Sequence, residues 1–307
     1  MTPHAKAQWQ LHLCVVLWGF TAILGKLITL TALQLVWWRM LIVTLALLLV
    51  PKVWRELRAM PARRIAAYAG IGVLVALHWL TFYSAVKLAN ASVAATCIAL
   101  APVFLAGIEP VVVGRKFEPR ELLLGAAVVP GVALVVGGVP SDMRLGIAVG
   151  VVSAALCATF GAFNKRVADR ASSLTATCLE LGAGTLFLTL VTASWHAEGS
   201  FVLPDARDAL LLLTLALACT LLPFALAMKV LRKLSAYTVQ LATNLEPVYA
   251  IVLAVILLGE QHQLDAWFYA GVAIILGAVF VHPLLTRRPA GKPPETMLGT
   301  AESKAIE

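Results

Sequence analysis

Charged side chains are scarce in this sequence. Asp, Glu, Lys and Arg make up 13% of its 307 residues, against about 25% in soluble domains. Hydrophobic residues reach 61% and mean hydropathy is +0.89, which excludes an ordinary water-facing globular surface. No Walker A stretch is present, so ATP is not the implied energy source. There is likewise no H-E-x-x-H, no G-x-S-x-G, no pair of aspartates within an apolar run and no metal-ligand cluster, and no cofactor or metal is expected. The five cysteines (Cys14, Cys97, Cys157, Cys178, Cys219) lack C-x-x-C spacing and all fall in apolar runs, as buried structural thiols do. The first apolar run holds Trp18-Gly19 and Lys26 and lacks an A-x-A-like exit, so it is expected to stay as a span.

What is present is a series of long apolar runs with short polar breaks, the pattern of a polytopic helical membrane protein. The windows predict spans near 10–30, 33–51, 65–86, 90–113, 121–139, 144–166, 174–195, 209–231, 235–258 and 265–285. The net charge of +8 does not imply nucleic acid, because the cations sit between spans. Of the 24 Lys and Arg, 19 fall in alternate connections and the two ends. The opposite side holds only Lys87, Arg144 and Arg207, with Lys26 and Arg39 inside spans. By the positive-inside rule both termini are cytoplasmic. The polar, Pro-rich segment from Arg287 onward reads as a disordered cytoplasmic tail, 287–307.

The chain also repeats itself. An offset of 145 lays Pro247-Val248-Tyr249 on Pro102-Val103-Phe104, Gly259 on Gly114, Arg232 on Lys87 and Ala236 on Ala91 without a gap. Five spans per copy is an odd number, so the second copy enters the bilayer upside down. The fold class expected is therefore an all-α membrane protein of ten transmembrane helices, built as two inverted five-helix repeats, 1–143 and 144–286. Inverted repeats are a transporter signature.

Ionisable residues at membrane depth are expensive and mark candidate function. At 1.5 Å per residue, Lys26 lies about 24 Å above the cytoplasmic face, Arg39 about 21 Å, His78 about 20 Å, Glu246 about 16 Å and Glu180 about 10 Å. Arg39 and Glu246 either form a structural ion pair or line a hydrated pathway, where they meet substrate or a proton. His78 is either a transport residue or a satisfied core histidine. Lys26 can snorkel to the outer headgroups. Glu109 reads as snorkelling to the nearby basic loop, and Lys165 as an anchor. Around Glu246, Gln240, Thr243, Asn244 and the helix-kinking Pro247 make a polar stripe, whose alternative reading is interhelical hydrogen bonding. Trp18, Thr96, Phe160 and Asn164 complete the candidate substrate-binding set with Arg39, His78, Glu180, Gln240, Asn244 and Glu246.

These residues resemble a known family. Trp18-Gly19-Phe20 with Lys26 and Arg39 begin the pattern. Phe82-Tyr83-Ser84-Ala85 leads through Ala91-Ser92 to Pro102-Val103-Phe104, and the second copy supplies Leu245-Glu246-Pro247-Val248-Tyr249, Leu258-Gly259-Glu260 and Ala270-Gly271. Together they look like the two EamA-type repeats of the drug/metabolite transporter superfamily, over roughly residues 10 to 285. The first copy departs at Ala101 and Arg115, where the second has Glu246 and Glu260, so only the second half keeps both carboxylates. The resemblance implies a bacterial inner-membrane carrier of ten helices, with a central cavity lined by helices other than the fifth and tenth. The function expected is a secondary transporter, an exporter, of a small organic metabolite such as an amino acid, working by alternating access. Its partners would be the small-molecule substrate, the lipid bilayer and protons, and the oligomeric state is left open. An intramembrane enzyme and a passive channel are the alternative readings.

Overall fold

The computed structural model describes residues 3–114, 116–117, 119–167, 170–194, 202–223, 226, 242–243 and 245–285. Among these residues the chain is helical without strands. The first half runs α1 (Pro3–Leu27), α2 (Ala32–Leu48), α3 (Pro51–Ala59), α4 (Ala62–Leu88), α5 (Ala91–Ile98), α6 (Ala101–Val113) and α7 (Pro119–Gly137). The second runs α8 (Arg144–Val167), α9 (Ser173–Ser194), α10 (Ala206–Leu213) continuing into a π-helical stretch (Thr214–Leu221), α11 (Glu246–Leu258) and α12 (Ala266–Leu285).

Among the described residues, five stretches are long and apolar enough to cross a bilayer: Lys6–Leu27, Ala62–Leu88, Ala91–Val113, Ser141–Val167 and Ser173–Ser194. A sixth arises if α2 and α3, bent by 90°, are one span. Ala127–Gly137, Glu246–Leu258 and Ala266–Ala278 are apolar but shorter. The end of the eighth run and the start of the ninth run expected from the sequence (224–225, 227–231, 235–241 and 244, with Gln240 and Asn244) lie outside the described residues, as does the segment 286–307.

The breaks follow from local chemistry. Thr31 starts α2 by a capping box, its hydroxyl accepting from the Gln34 amide while the Gln34 side chain accepts from the Thr31 amide. Proline lacks an N–H and fits best in a helix's first turn, although α6 and α7 also hold Pro110 and Pro130 in their interiors. Pro102 and Pro247 accordingly open α6 and α11, after Leu100 (φ −80°, ψ −11°) and Leu245 (φ −80°, ψ −9°). Both helices are 13 residues long and both end at a left-handed glycine, Gly114 (φ 77°) and Gly259 (φ 66°). Each pair of positions is separated by the 145 residues read from the sequence, so the repeat extends to backbone conformation.

Packing carries the same relation. α1 lies on α11 as α8 lies on α6, α2 meets α9, and α7 meets α12. Exchanging the halves maps each of these pairings onto another or onto itself. Two of the contacts are backbone-close. A Cβ on Gly271 would stand 2.5 Å from the Gly131 carbonyl oxygen in the α7–α12 pair. In the α4–α9 pair, a Cβ on Gly72 would stand 2.1 Å from the Glu180 carbonyl oxygen. Small residues serve this purpose in helix pairs within lipid, where tight van der Waals packing replaces the hydrophobic effect.

Candidate functional site

Arg39, on α2, is 5% exposed. A buried guanidinium needs partners for its donors and something to offset lost hydration. Its Nε donates to the Thr220 hydroxyl at 3.0 Å and its Nη1 to the Tyr83 hydroxyl at 2.7 Å. Its Cζ stands 3.7 Å from the centre of the Trp79 ring, a cation–π contact. Tyr83 and Trp79 lie four residues apart on α4 and so share a face. Thr220 comes from the π-helical stretch, where its hydroxyl also donates to the Leu215 carbonyl five residues back.

Glu246 opens α11 and faces a cavity lined also by Trp18, Thr21, Phe82, Ala95, Ile98 and Pro247. Its volume is ≈10 Å³, room for about one water molecule. Phe82 ties this cavity to the arginine, since its ring meets Tyr83 edge-on at 5.2 Å. Arg39 and Glu246 form no ion pair with each other, which sets aside the directly bonded reading of the two. Glu246 contributes an acid to a chamber walled mainly by apolar side chains, and the Arg39 guanidinium, held by Trp79 and Tyr83, lies beyond ion-pair distance but within electrostatic range of it.

The other candidates divide into those near this centre and those away from it. Trp18 lines the cavity. Thr96 is buried on α5 with its hydroxyl donated to the Ser92 carbonyl, and it is the neighbouring Ala95 that faces the cavity. His78 sits at the α4–α8 contact, its Nδ1 2.9 Å from Ser153 Oγ and 3.0 Å from the Ser153 carbonyl oxygen. The Phe160 ring packs on that imidazole at 5.3 Å. Asn164 donates to Glu180 at 3.4 Å, joining α8 to α9. Gln240 and Asn244 fall outside the described residues. The sequence reading did not single out Thr220, Thr21 or Trp79 for the site, and it carried Tyr83 only within the Phe82-Tyr83-Ser84-Ala85 motif.

Two charged layers bracket the centre. At one end, Lys26 of α1 donates to the Ala89 carbonyl at 3.1 Å, and Lys87 of α4 donates to the Ile28 carbonyl. Each lysine thus closes the C-terminus of the other's helix, where a cation is favoured. Lys26 is therefore engaged in capping rather than in the site. At the same end, the second half supplies two carboxylates to backbone amides of the first. Asp208 accepts from the Thr29 amide at 3.0 Å and from its hydroxyl at 2.7 Å. Glu260, 1% exposed, accepts from the amides of Ala91 at 2.9 Å and Ser92 at 2.8 Å, filling the N-terminus of α5. At the other end, Glu109 of α6 pairs with Lys165 of α8 at 2.8 Å. Glu109 was expected to snorkel and Lys165 to anchor its helix singly, and the pairing corrects this: the two helices bring the charges together.

No curated protein matches the sequence. A solved crystal structure of another protein is similar in fold, with a TM-score of 0.61 and 17% identity over 94% of this chain and 99% of that one. The EamA-like transporter family model matches twice, over residues 6–137 and 144–282. Nearly the whole described chain falls within those two matches, and the chain belongs to the EamA-like transporter family.

Proposed function

We propose that this protein is a secondary transporter, an exporter, of a small organic metabolite that carries both an acidic and a basic group, such as an amino acid. The observation that carries the proposal is the separation of Arg39 from Glu246. A structural ion pair would bring both charges together, because an unpaired buried charge is costly. Here the arginine is fixed by Tyr83, Thr220 and Trp79, while the carboxylate faces the cavity without an ion pair among the described residues. That arrangement suits a carrier in which Glu246 takes a proton or an amine and Arg39 meets a carboxylate. Trp18 and Phe82 would cover the apolar part of the substrate.

Membership of a transporter family and a twofold-related packing support alternating access, in which two inverted halves (1–143 and 144–286) rock about this centre. In that reading ten helices cross a bacterial inner membrane, and both termini, with the tail 287–307, face the cytoplasm. The ≈10 Å³ cavity is then an occluded arrangement that must open to bind. The test is counterflow in proteoliposomes with a panel of radiolabelled amino acids. Saturable exchange that Glu246→Gln removes is the expected result, and non-saturable flux would point instead to a channel.

A further inference from the structure

The cleft at the α3 end has no part in the site described so far. α3 turns 90° from α2 after a two-residue break. Four of its nine residues are charged (Lys52, Arg55, Glu56, Arg58), so it cannot enter hydrocarbon and lies along the surface instead. One side is apolar and buried at Val53, while Trp54 is 46% exposed, the side-chain type that settles at headgroup depth. Between α3, the start of α4 and the α8–α9 turn lies an open cleft of ≈360 Å³, lined by Glu56, Met60, Arg64, Arg170 and Ser172 among others.

Charge on this face is one-sided. Lys52, Arg55, Arg58, Arg63, Arg64 and Arg170 are all exposed. The acid among them, Glu56, already accepts from the Ser172 hydroxyl at 2.6 Å and the Ser172 amide at 3.2 Å. It is therefore held at the α9 N-terminus, with Lys52 also 3.8 Å from its Oε1, and among the described residues no carboxylate pairs with the arginines of this face. Two guanidinium groups from opposite halves, Arg64 on α4 and Arg170 before α9, line the same opening. Guanidinium matches phosphate oxygens in a forked geometry, and a basic, tryptophan-bearing surface helix is the kind of element that holds anionic headgroups.

We propose that this cleft is a binding site for the phosphate headgroup of an anionic phospholipid, held between Arg64 and Arg170 and bridging the first half to the second. The proposal needs the chain to be an integral membrane protein, and it stands whether or not the transport reading holds. The occupant is a lipid rather than free phosphate because α3 lies along the face where spanning helices emerge and because the cleft is open, not enclosed.

The experiment uses the full chain, delipidated in detergent, with phosphatidylglycerol, phosphatidylethanolamine or inorganic phosphate titrated in. Unfolding temperature and lipid retention in native mass spectrometry are measured. Phosphatidylglycerol is expected to raise the unfolding temperature and stay bound, with little effect from the other two. Arg64→Gln/Arg170→Gln should remove most of that shift, Arg170→Gln alone part of it, and Arg144→Gln, exposed at the opposite end, none. An equal shift from inorganic phosphate, an equal loss in Arg144→Gln, or a full shift retained in the double variant would each overturn the proposal.

Discussion

The Arg39 guanidinium donates to the Tyr83 hydroxyl at 2.7 Å, and this bond sets the direction in which the buried cation faces. A hydrogen bond to a charged group contributes about 1.5–3 kcal/mol. Tyr83→Phe keeps the ring beside the guanidinium and removes the hydroxyl, which also hydrogen-bonds the cavity-lining Thr21. Transport efficiency is expected to fall roughly tenfold to a hundredfold, with a smaller loss in unfolding temperature than Arg39→Ala. Unchanged kcat/KM for counterflow in Tyr83→Phe would reduce the pair to packing.

Glu246 has no ion pair among the described residues. Its replacement by Gln removes a buried charge that has no ion pair and should therefore leave the unfolding temperature unchanged or raised, while transport is abolished or uncoupled from protons. Thermal unfolding and proton flux in the same proteoliposome preparation separate the two effects. Wild-type rates would refute the assignment.

Glu260 is expected to behave in the opposite way. Its two oxygens accept from two buried amides at the start of α5, so Glu260→Ala leaves donors unsatisfied at a cost of about 1–3 kcal/mol each. The measured signature is a large drop in unfolding temperature, with substrate affinity retained in whatever protein remains folded. A stable variant with altered affinity would move Glu260 into the transport pathway.

Glu56 gives a pH dependence with a definite sign. Burial works to raise its carboxyl, but hydrogen bonds from Ser172 and Thr175 outweigh that and hold it below its ordinary value. A depressed folded value means that the clasp stabilises fully above the unfolded carboxylate's range and is lost as pH falls through the lower one. Wild type should therefore unfold at a higher temperature than Glu56→Gln at about pH 7, the gap closing on acidification. A gap that ignores pH would assign the effect to packing.

Much of the fold could be read from the residues because its punctuation is local. Pro102 and Pro247 break helices through their own missing N–H, and Gly114 and Gly259 end them through their own left-handed backbone, so spacing alone revealed the duplication. The site was legible where a charge lay deep in an apolar run, as at Arg39 and Glu246. It was not legible where the partner was an ordinary residue of a distant helix. Thr220 is one threonine in a leucine-rich stretch, and nothing near it in sequence points to Arg39, 181 residues away. Asp208 and Glu260 escaped for a related reason: their partners are backbone amides, which every residue but proline carries. Glu109 and Lys165 each lay close enough to a membrane face to be explained singly, which hid the pair they form.

The π-helical stretch Thr214–Leu221 fixes how insertions and deletions in this segment must behave. The Leu222 amide reaches back five residues, to the Leu217 carbonyl, so the coil there holds one residue more per hydrogen-bonded loop than an α-helix does. Deleting a single alanine, Ala216 or Ala218, would let the coil tighten to α-helical register. Because the wider turn already accommodates the extra residue, residues beyond the deletion would keep nearly their original direction, and Thr220 would stay facing the Arg39 Nε; a deletion from the α-helical part of α10 would instead turn them by about 100°. The stretch is thus a place where the chain can lose one small residue without turning the helix that carries Thr220, so the partner of the Arg39 guanidinium is protected against a change of length there and not in α10 before it.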